Sequence, residues 1–290
     1  MSPSAHDRLL AAWLRTCAAV SAAVVVLIAV FLVAESWPAL RHVGLSRFFA
    51  DPSWHPSADA AAGTFNLSPM LAGTLLASLG AVAVATPAGV LSAVFCQFFA
   101  PPRLASPYRR LIEILAGIPS VVYGFWGLVV LVPLIRRLEP PGASLLAGIA
   151  ILALMILPTV ALQADAALAA VPRGVLRAAA ATGLSRSSLI TGVALQAARA
   201  GIFTGVLLAA GRALGETMAI LMVCGNIVQV PASLFDPIRT LTANIALEMA
   251  YALGDHRSAL FVSGLVLLVL VAVLVGLVEA LRPRSVHARV

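Results

Sequence analysis

Six apolar runs of membrane-spanning length, separated by polar stretches, leave this 290-residue chain few ways to fold. They cover residues 18–33, 70–99, 111–134, 145–162, 201–225 and 259–281. A bilayer core about 30 Å thick takes roughly twenty helical residues, because a helix pairs its backbone groups within itself and hydrocarbon tolerates no others. With 61% hydrophobic and 11% charged residues, the composition excludes an ordinary soluble domain, in which about 25% of residues are charged. The fold class expected is an all-α polytopic membrane protein with six transmembrane helices. The second and third runs are long enough to tilt. The first exceeds a signal-peptide core and lacks a small-residue cleavage site behind it, so a retained anchor is expected.

An even number of spans returns both ends of the chain to one side. With that side inside, twelve arginines fall on inner segments and six on outer ones, and only Arg136 and Arg137 run locally against the positive-inside trend. The expected plan is an inner amino-terminal segment 1–17, one transmembrane domain 18–281 and an inner tail 282–290. Within the domain lie an external loop 37–69, an inner loop 166–200 and an external re-entrant or interfacial segment 226–257. Loop 37–69 is broken by Pro38, Pro52, Pro56 and Gly63 and is expected to be irregular. The net charge of +7 reports orientation in the membrane; no basic stripe with interleaved aromatics suggests nucleic acid. Cys17, Cys96 and Cys224 have neither metal-ligand nor disulfide-framework spacing, so no metal is expected.

The fifth run carries Arg212 and Glu216 near its middle. An arginine at the centre of a spanning helix costs roughly 2.5–3.5 kcal/mol, against about 0.3–0.6 kcal/mol returned by each large apolar residue. Such charges need partners in a bundle or a wetted path. On one continuous helix, Gly201, Gly205, Gly211, Arg212, Gly215, Glu216 and Asn226 share a narrow stripe. That stripe combines four small helix-packing residues with an ion pair at i and i+4. Arg212 and Glu216 are therefore substrate-pathway candidates, with a structural salt bridge as the alternative. In the third run, Ser120 and Tyr123 stand beside Pro119 and are further pathway candidates, as is Asn226; ordinary helix-to-helix hydrogen bonding is their alternative. Asp236-Pro237 reads as a helix start, with Thr240, Thr242, Asn244 and Glu248 facing water or a cavity. Asp165, at the end of the fourth run, reads as a solvated boundary residue.

Loop 166–200 reads as two short helices around a corner, the first opened by Pro172 and closed by Gly183, the second capped by Ser185. Its segment Arg177-Ala178-Ala179-Ala180-Ala181-Thr182-Gly183, then Val193-Ala194-Leu195-Gln196, resembles the cytoplasmic signature of ABC importer permeases. That signature is Glu-Ala-Ala, three residues, Gly, nine residues, then Ile-x-Leu-Pro. Arg177 replaces its Glu and Gln196 its Pro. Ile118-Pro119-Ser120-Val121-Val122-Tyr123-Gly124, Gly211-Arg212-Ala213-Leu214-Gly215-Glu216-Thr217-Met218-Ala219 and Leu241-Thr242-Ala243-Asn244-Ile245-Ala246 resemble the phosphate-specific permeases. The long first external loop is more similar to their PstC-like than to their PstA-like subunits.

The resemblance implies a type I ABC importer permease (MetI-like) architecture in a bacterial inner membrane, surrounded by membrane lipid. It implies a PstA-like permease partner, a PstB-like ATPase dimer and a PstS-like phosphate-binding protein outside. It also implies ATPase docking through Arg177, Ala178, Ala179 and Gly183, and phosphate passage by Arg212 and Glu216. ATP and Mg would then be bound by the partner ATPase, with no cofactor on this chain. Independently of the resemblance, the sequence has no lysine and so no Walker A P-loop. Side-chain chemistry alone leaves sulfate, molybdate or phosphonate open as substrates, and leaves a secondary anion transporter as a different class. The histidines all fall outside the apolar runs, so an intramembrane enzyme is disfavoured.

Overall fold

Proline and glycine, more than hydrophobicity, decide where the apolar runs bend. The computed structural model describes residues 5–281; the expected inner tail 282–290 lies outside the described residues. In chain order the elements are α1 (Ala5–His42), α2 (Arg47–Ala50), β1 (Trp54–His55), β2 (Thr64–Phe65), α3 (Ser68–Val94), α4 (Pro102–Gly117), α5 (Ser120–Trp126) and α6 (Val132–Arg136). There follow α7 (Leu145–Ala169), α8 (Arg173–Ala181), α9 (Arg186–Leu189), α10 (Leu195–Leu214), α11 (Met218–Val223), α12 (Leu241–Glu248) and α13 (Gly254–Leu281). Wide π-type turns at Phe95–Phe99, Gly127–Leu131 and Ile190–Ala194 extend α3, join α5 to α6 and join α9 to α10.

Among the described residues, five stretches are long and apolar enough to cross a bilayer: Leu9–His42, Ser68–Phe99, Leu145–Ala169, Arg186–Leu214 and Gly254–Leu277. The sixth is a bent pair, Pro102–Gly117 with Ser120–Arg136, whose axes meet at 92°. The span expected over 111–134 is broken into two helices at Pro119. Pro119 has no amide hydrogen to give and drives Ile118 into an extended conformation (φ −69°, ψ 129°), which ends α4.

The described chain forms two compact units: the chain up to Asn66 with Glu248–Leu268, and Leu67–Leu247 with the chain from Val269 onward. In the first, residues 9–35 of α1 have no buried member. Loop 37–69, expected to be irregular, is ordered by one arginine. Arg47 donates to Asp51, Ala60 O and Gly63 O, and Asp51 in turn accepts the Phe65 amide at 2.9 Å. This closes the antiparallel pair Trp54↔Phe65 over buried Phe48, Trp54 and Phe65. Glu248 is buried there as well, accepting from Trp54 Nε1 at 2.9 Å and lying 2.9 Å from His256 Nε2. Asp255 joins His42 at 2.8 Å to the Ala60 amide at 3.1 Å.

The second unit is organised on α7, which Ser144 starts by accepting the Ala147 amide. Helices α3 and α10 both lie along it. Its core includes Ile151, Leu152, Met155, Ile156 and Val160. Small residues set the spacing. A Cβ at Gly80 would come 2.6 Å from Ile149, at Gly89 2.8 Å from Val160, and at Gly148 2.5 Å from Cys224 Sγ.

Candidate translocation site

The fifth run does not continue as one helix. Helix α10 ends at Leu214, the chain opens over Gly215, Glu216 and Thr217, and α11 begins at Met218. Arg212 thus lies in the last turn of α10, half-buried, and Glu216 lies beyond the helix end. The i, i+4 ion pair expected from the stripe is corrected. Among the described residues, Arg212 and Glu216 form no salt bridge. The reason is local: Glu216 Oε1 accepts the Ala219 amide at 3.1 Å, satisfying an orphan donor of the new helix in place of the guanidinium.

The same break divides the small-residue stripe. A Cβ at Gly201 would stand 2.6 Å from Ala167 Cβ, and one at Gly205 2.6 Å from Gln163 Cβ, so both let α10 approach α7 closely. Gly211 has nothing within 4 Å and Gly215 meets only its own Gly211 carbonyl at 3.6 Å. Neither packs two helices together, because α10 ends at this level.

Tyr123 lies on α5, half-buried. The Tyr123 hydroxyl donates to Leu115 O at 2.8 Å, across the α4–α5 bend. Ser120 opens α5 and is half-buried. Behind Tyr123, Gly124 presses α5 onto α11: a Cβ there would lie 2.8 Å from Ala219 Cα.

Asn226 has φ +56° and follows Gly225 at +82°, and this left-handed pair turns the chain back after α11. Its side chain donates to Leu221 O at 2.7 Å, while Arg239 donates to its carbonyl at 2.9 Å and to Asn244 Oδ1 at 3.1 Å. Asn226 is accordingly a knot in the wall of the site. The helix expected from Asp236-Pro237 starts later, at Leu241. Asp236 accepts the amides of Ala232 and Ser233 behind it, and Thr240 caps α12 through the Ala243 amide. Thr240, Thr242, Asn244 and Glu248, expected to face water or a cavity, are all buried. Thr242 Oγ1 donates to Glu216 O at 2.9 Å, holding α12 against the break.

In loop 166–200, α8 opens after Pro172, Gly183 takes φ +81° and Ser185 accepts the Ser188 amide. Arg177 and Ala178 are exposed, Ala179 is half-exposed and Gly183 has nothing near it. Gln196 falls in the first turn of α10, directly after the wide turn Ile190–Ala194. The hairpin is rooted by Leu168, Val171, Ile190 and Ala194, and Arg186 lies over Phe99 at 4.4 Å.

One cluster was missed from the sequence. Asp165, expected to be merely solvated, accepts Arg109 Nε and Nη2 at 2.9 and 3.0 Å and Gln97 Nε2 at 2.8 Å. A guanidinium stays charged at any working pH, so Arg109 grips this carboxylate throughout. The available signal was depth: Gln97, Arg109 and Asp165 all sit at the same ends of three apolar runs.

Glu216 offers a clean separation of cap from charge. Glu216→Gln keeps an oxygen for the Ala219 amide and should leave thermal stability near that of the wild type. Glu216→Ala should cost about 1 kcal/mol. Equal melting temperatures for the two variants would remove the capping role.

An arginine at a broken helix within an apolar span, a bent helix pair packed on that break and an exposed helical hairpin fit a membrane transport subunit. The chain belongs to the binding-protein-dependent transport system inner membrane component family, whose pattern matches residues 85–287. It is an ABC permease, multi-pass in the inner membrane. The phosphate transport system permease protein PstC of Mesorhizobium japonicum is 33% identical, covering 84% of this chain and 80% of that protein. The probable ABC transporter permease protein YqgH of Bacillus subtilis is 35% identical, over 92% of this chain and 88% of its own length. In fold, the chain is similar to an inward-facing MetNI methionine ABC transporter, with TM-score 0.57 and 21% identity over 73% of this chain and 91% of that one.

Proposed function

We propose that this chain is the PstC-type half of the pore of an ATP-driven phosphate importer. Relatives named as phosphate permeases support the substrate, and the position of Arg212 carries the chemistry. It is a half-buried guanidinium at a helix break, with no carboxylate bound to it among the described residues. Inorganic phosphate carries between about one and two negative charges near neutral pH and cannot cross bare hydrocarbon. A guanidinium fork holds two of its oxygens and remains charged throughout. Tyr123 gives its hydroxyl proton to Leu115 O and so braces the α4–α5 bend, leaving the anion to the guanidinium. Glu216 fixes the start of α11 and, four residues from Arg212, opposes over-tight retention of the anion.

The exposed hairpin α8–α9 is the surface for an ATPase dimer on the inner side, where ATP and Mg bind. A PstA-like subunit completes the pore, and a PstS-like protein delivers phosphate to the outer side. The excess of arginines on the hairpin side supports this orientation.

The test is reconstitution into vesicles. Phosphate uptake should require ATP, the ATPase and both pore subunits, and excess sulfate or molybdate should leave it unchanged. Equal competition by sulfate would overturn the substrate assignment. Uptake by this chain alone would make it a secondary carrier.

A further inference from the structure

We propose that the Arg109–Asp165 pair is the joint through which movement of the α8–α9 hairpin reaches Tyr123 and Arg212; this rests on the transport reading above and deepens it. Asp165 stands one turn before the end of α7, which leads through Val171 and Pro172 into α8. Val171 and Leu168 are buried together with Ile190 at the root of the hairpin, so the end of α7 and the hairpin are packed as one piece. A shift of the hairpin therefore moves the Asp165 carboxylate.

Helix α4 is gripped at that carboxylate. Arg109 meets both of its oxygens, at 2.9 and 3.0 Å, and Gln97 from the wide turn after α3 meets one of them at 2.8 Å. A fork on a carboxylate fixes direction as well as distance, which a single hydrogen bond does not. At the far end of α4, Leu115 O holds the Tyr123 hydroxyl at 2.8 Å across the 92° bend. Rotation about Ile118 and Pro119 thus carries the phenol with it, and α5 presses at Gly124 on Ala219, whose amide Glu216 caps at the break after Arg212. From the hairpin root to the break after Arg212 the route runs through packed and hydrogen-bonded contacts, which is what a coupling route needs. The Arg109 and Asp165 side chains are 35% and 19% exposed, so the pair adds little to stability. Its use is geometric, and both are positioning residues.

The experiment uses the complete transporter in vesicles and reads phosphate moved per ATP hydrolysed. Asp165→Asn should keep the complex assembled and hydrolysing ATP, while lowering that ratio about tenfold. Arg109→Lys keeps the charge without the fork and should lower the ratio severalfold. The double exchange Arg109→Asp with Asp165→Arg should restore most of it. A merely structural role would reduce assembly, hydrolysis and uptake in step; an unchanged ratio in Asp165→Asn, or no rescue by the exchange, overturns the proposal. Arg212→Gln, run in parallel, tests the reading underneath: normal uptake there removes the anion contact, whereas an unchanged ratio in Asp165→Asn removes only the joint.

Discussion

Arg212→Gln should abolish phosphate uptake by an otherwise intact, assembled transporter. Two charge-assisted hydrogen bonds to phosphate are worth roughly 1.5–3 kcal/mol each, so their loss predicts a fall of at least about a hundredfold. The fold should survive, because no carboxylate is bound to this guanidinium among the described residues and its removal orphans no buried charge. Glutamine fills much of the same volume. Arg212→Lys should fall between the two, since it keeps the charge but not the planar fork. The readouts are uptake in vesicles and co-purification of the ATPase. An assembled Arg212→Gln transporter with ordinary uptake would end the anion-contact role.

Gly124→Leu should be lost for a different reason. Its Cβ would approach Ala219 Cα to 2.8 Å and Met222 Sδ to 3.0 Å, and backbone gives way less than a side-chain tip. Overpacking of this kind costs about 1–3 kcal/mol and more where backbone must move. Wedging α5 from α11 also displaces Tyr123, one residue away, and the helix that Glu216 caps. We expect a lower melting temperature in detergent together with loss of uptake. Gly117→Leu is the control: it lies on the other side of the same bend with nothing within 4 Å, and should melt as the wild type does. Equal stability of the two variants would show that α5 does not need its close approach to α11.

The spans were legible in the sequence because they rest on an additive property, the transfer of apolar side chains, which survives any arrangement of neighbours. The corner of the α8–α9 hairpin was legible for a similar reason: Pro172, Gly183 and Ser185 act through their own backbone and nearest amides. Interruptions were not. Projecting residues 201–226 at a constant 100° per residue assumes an unbroken helix, so it paired Arg212 with Glu216 and extended the glycine stripe past Gly205. No proline stands at Gly215 to announce the break, which is held instead by Thr242, 26 residues further along the chain. The sequence placed Ser120 and Tyr123 beside Pro119, yet the 92° size of the bend and the Tyr123 hydrogen bond to Leu115 across it were not legible. Asp165 looked solvated because its partners are Arg109 and Gln97, 56 and 68 residues away.

The three widened turns at Phe95–Phe99, Gly127–Leu131 and Ile190–Ala194 each take up one residue more than an ordinary helical turn would. An extra residue absorbed there turns everything beyond it by roughly 100° about the axis, without lengthening the loops at either end. Evolution can therefore re-aim the second half of such a helix by inserting or deleting one codon. Alignments of these proteins that force every gap into a connecting segment will misjudge which side chains look into the pore.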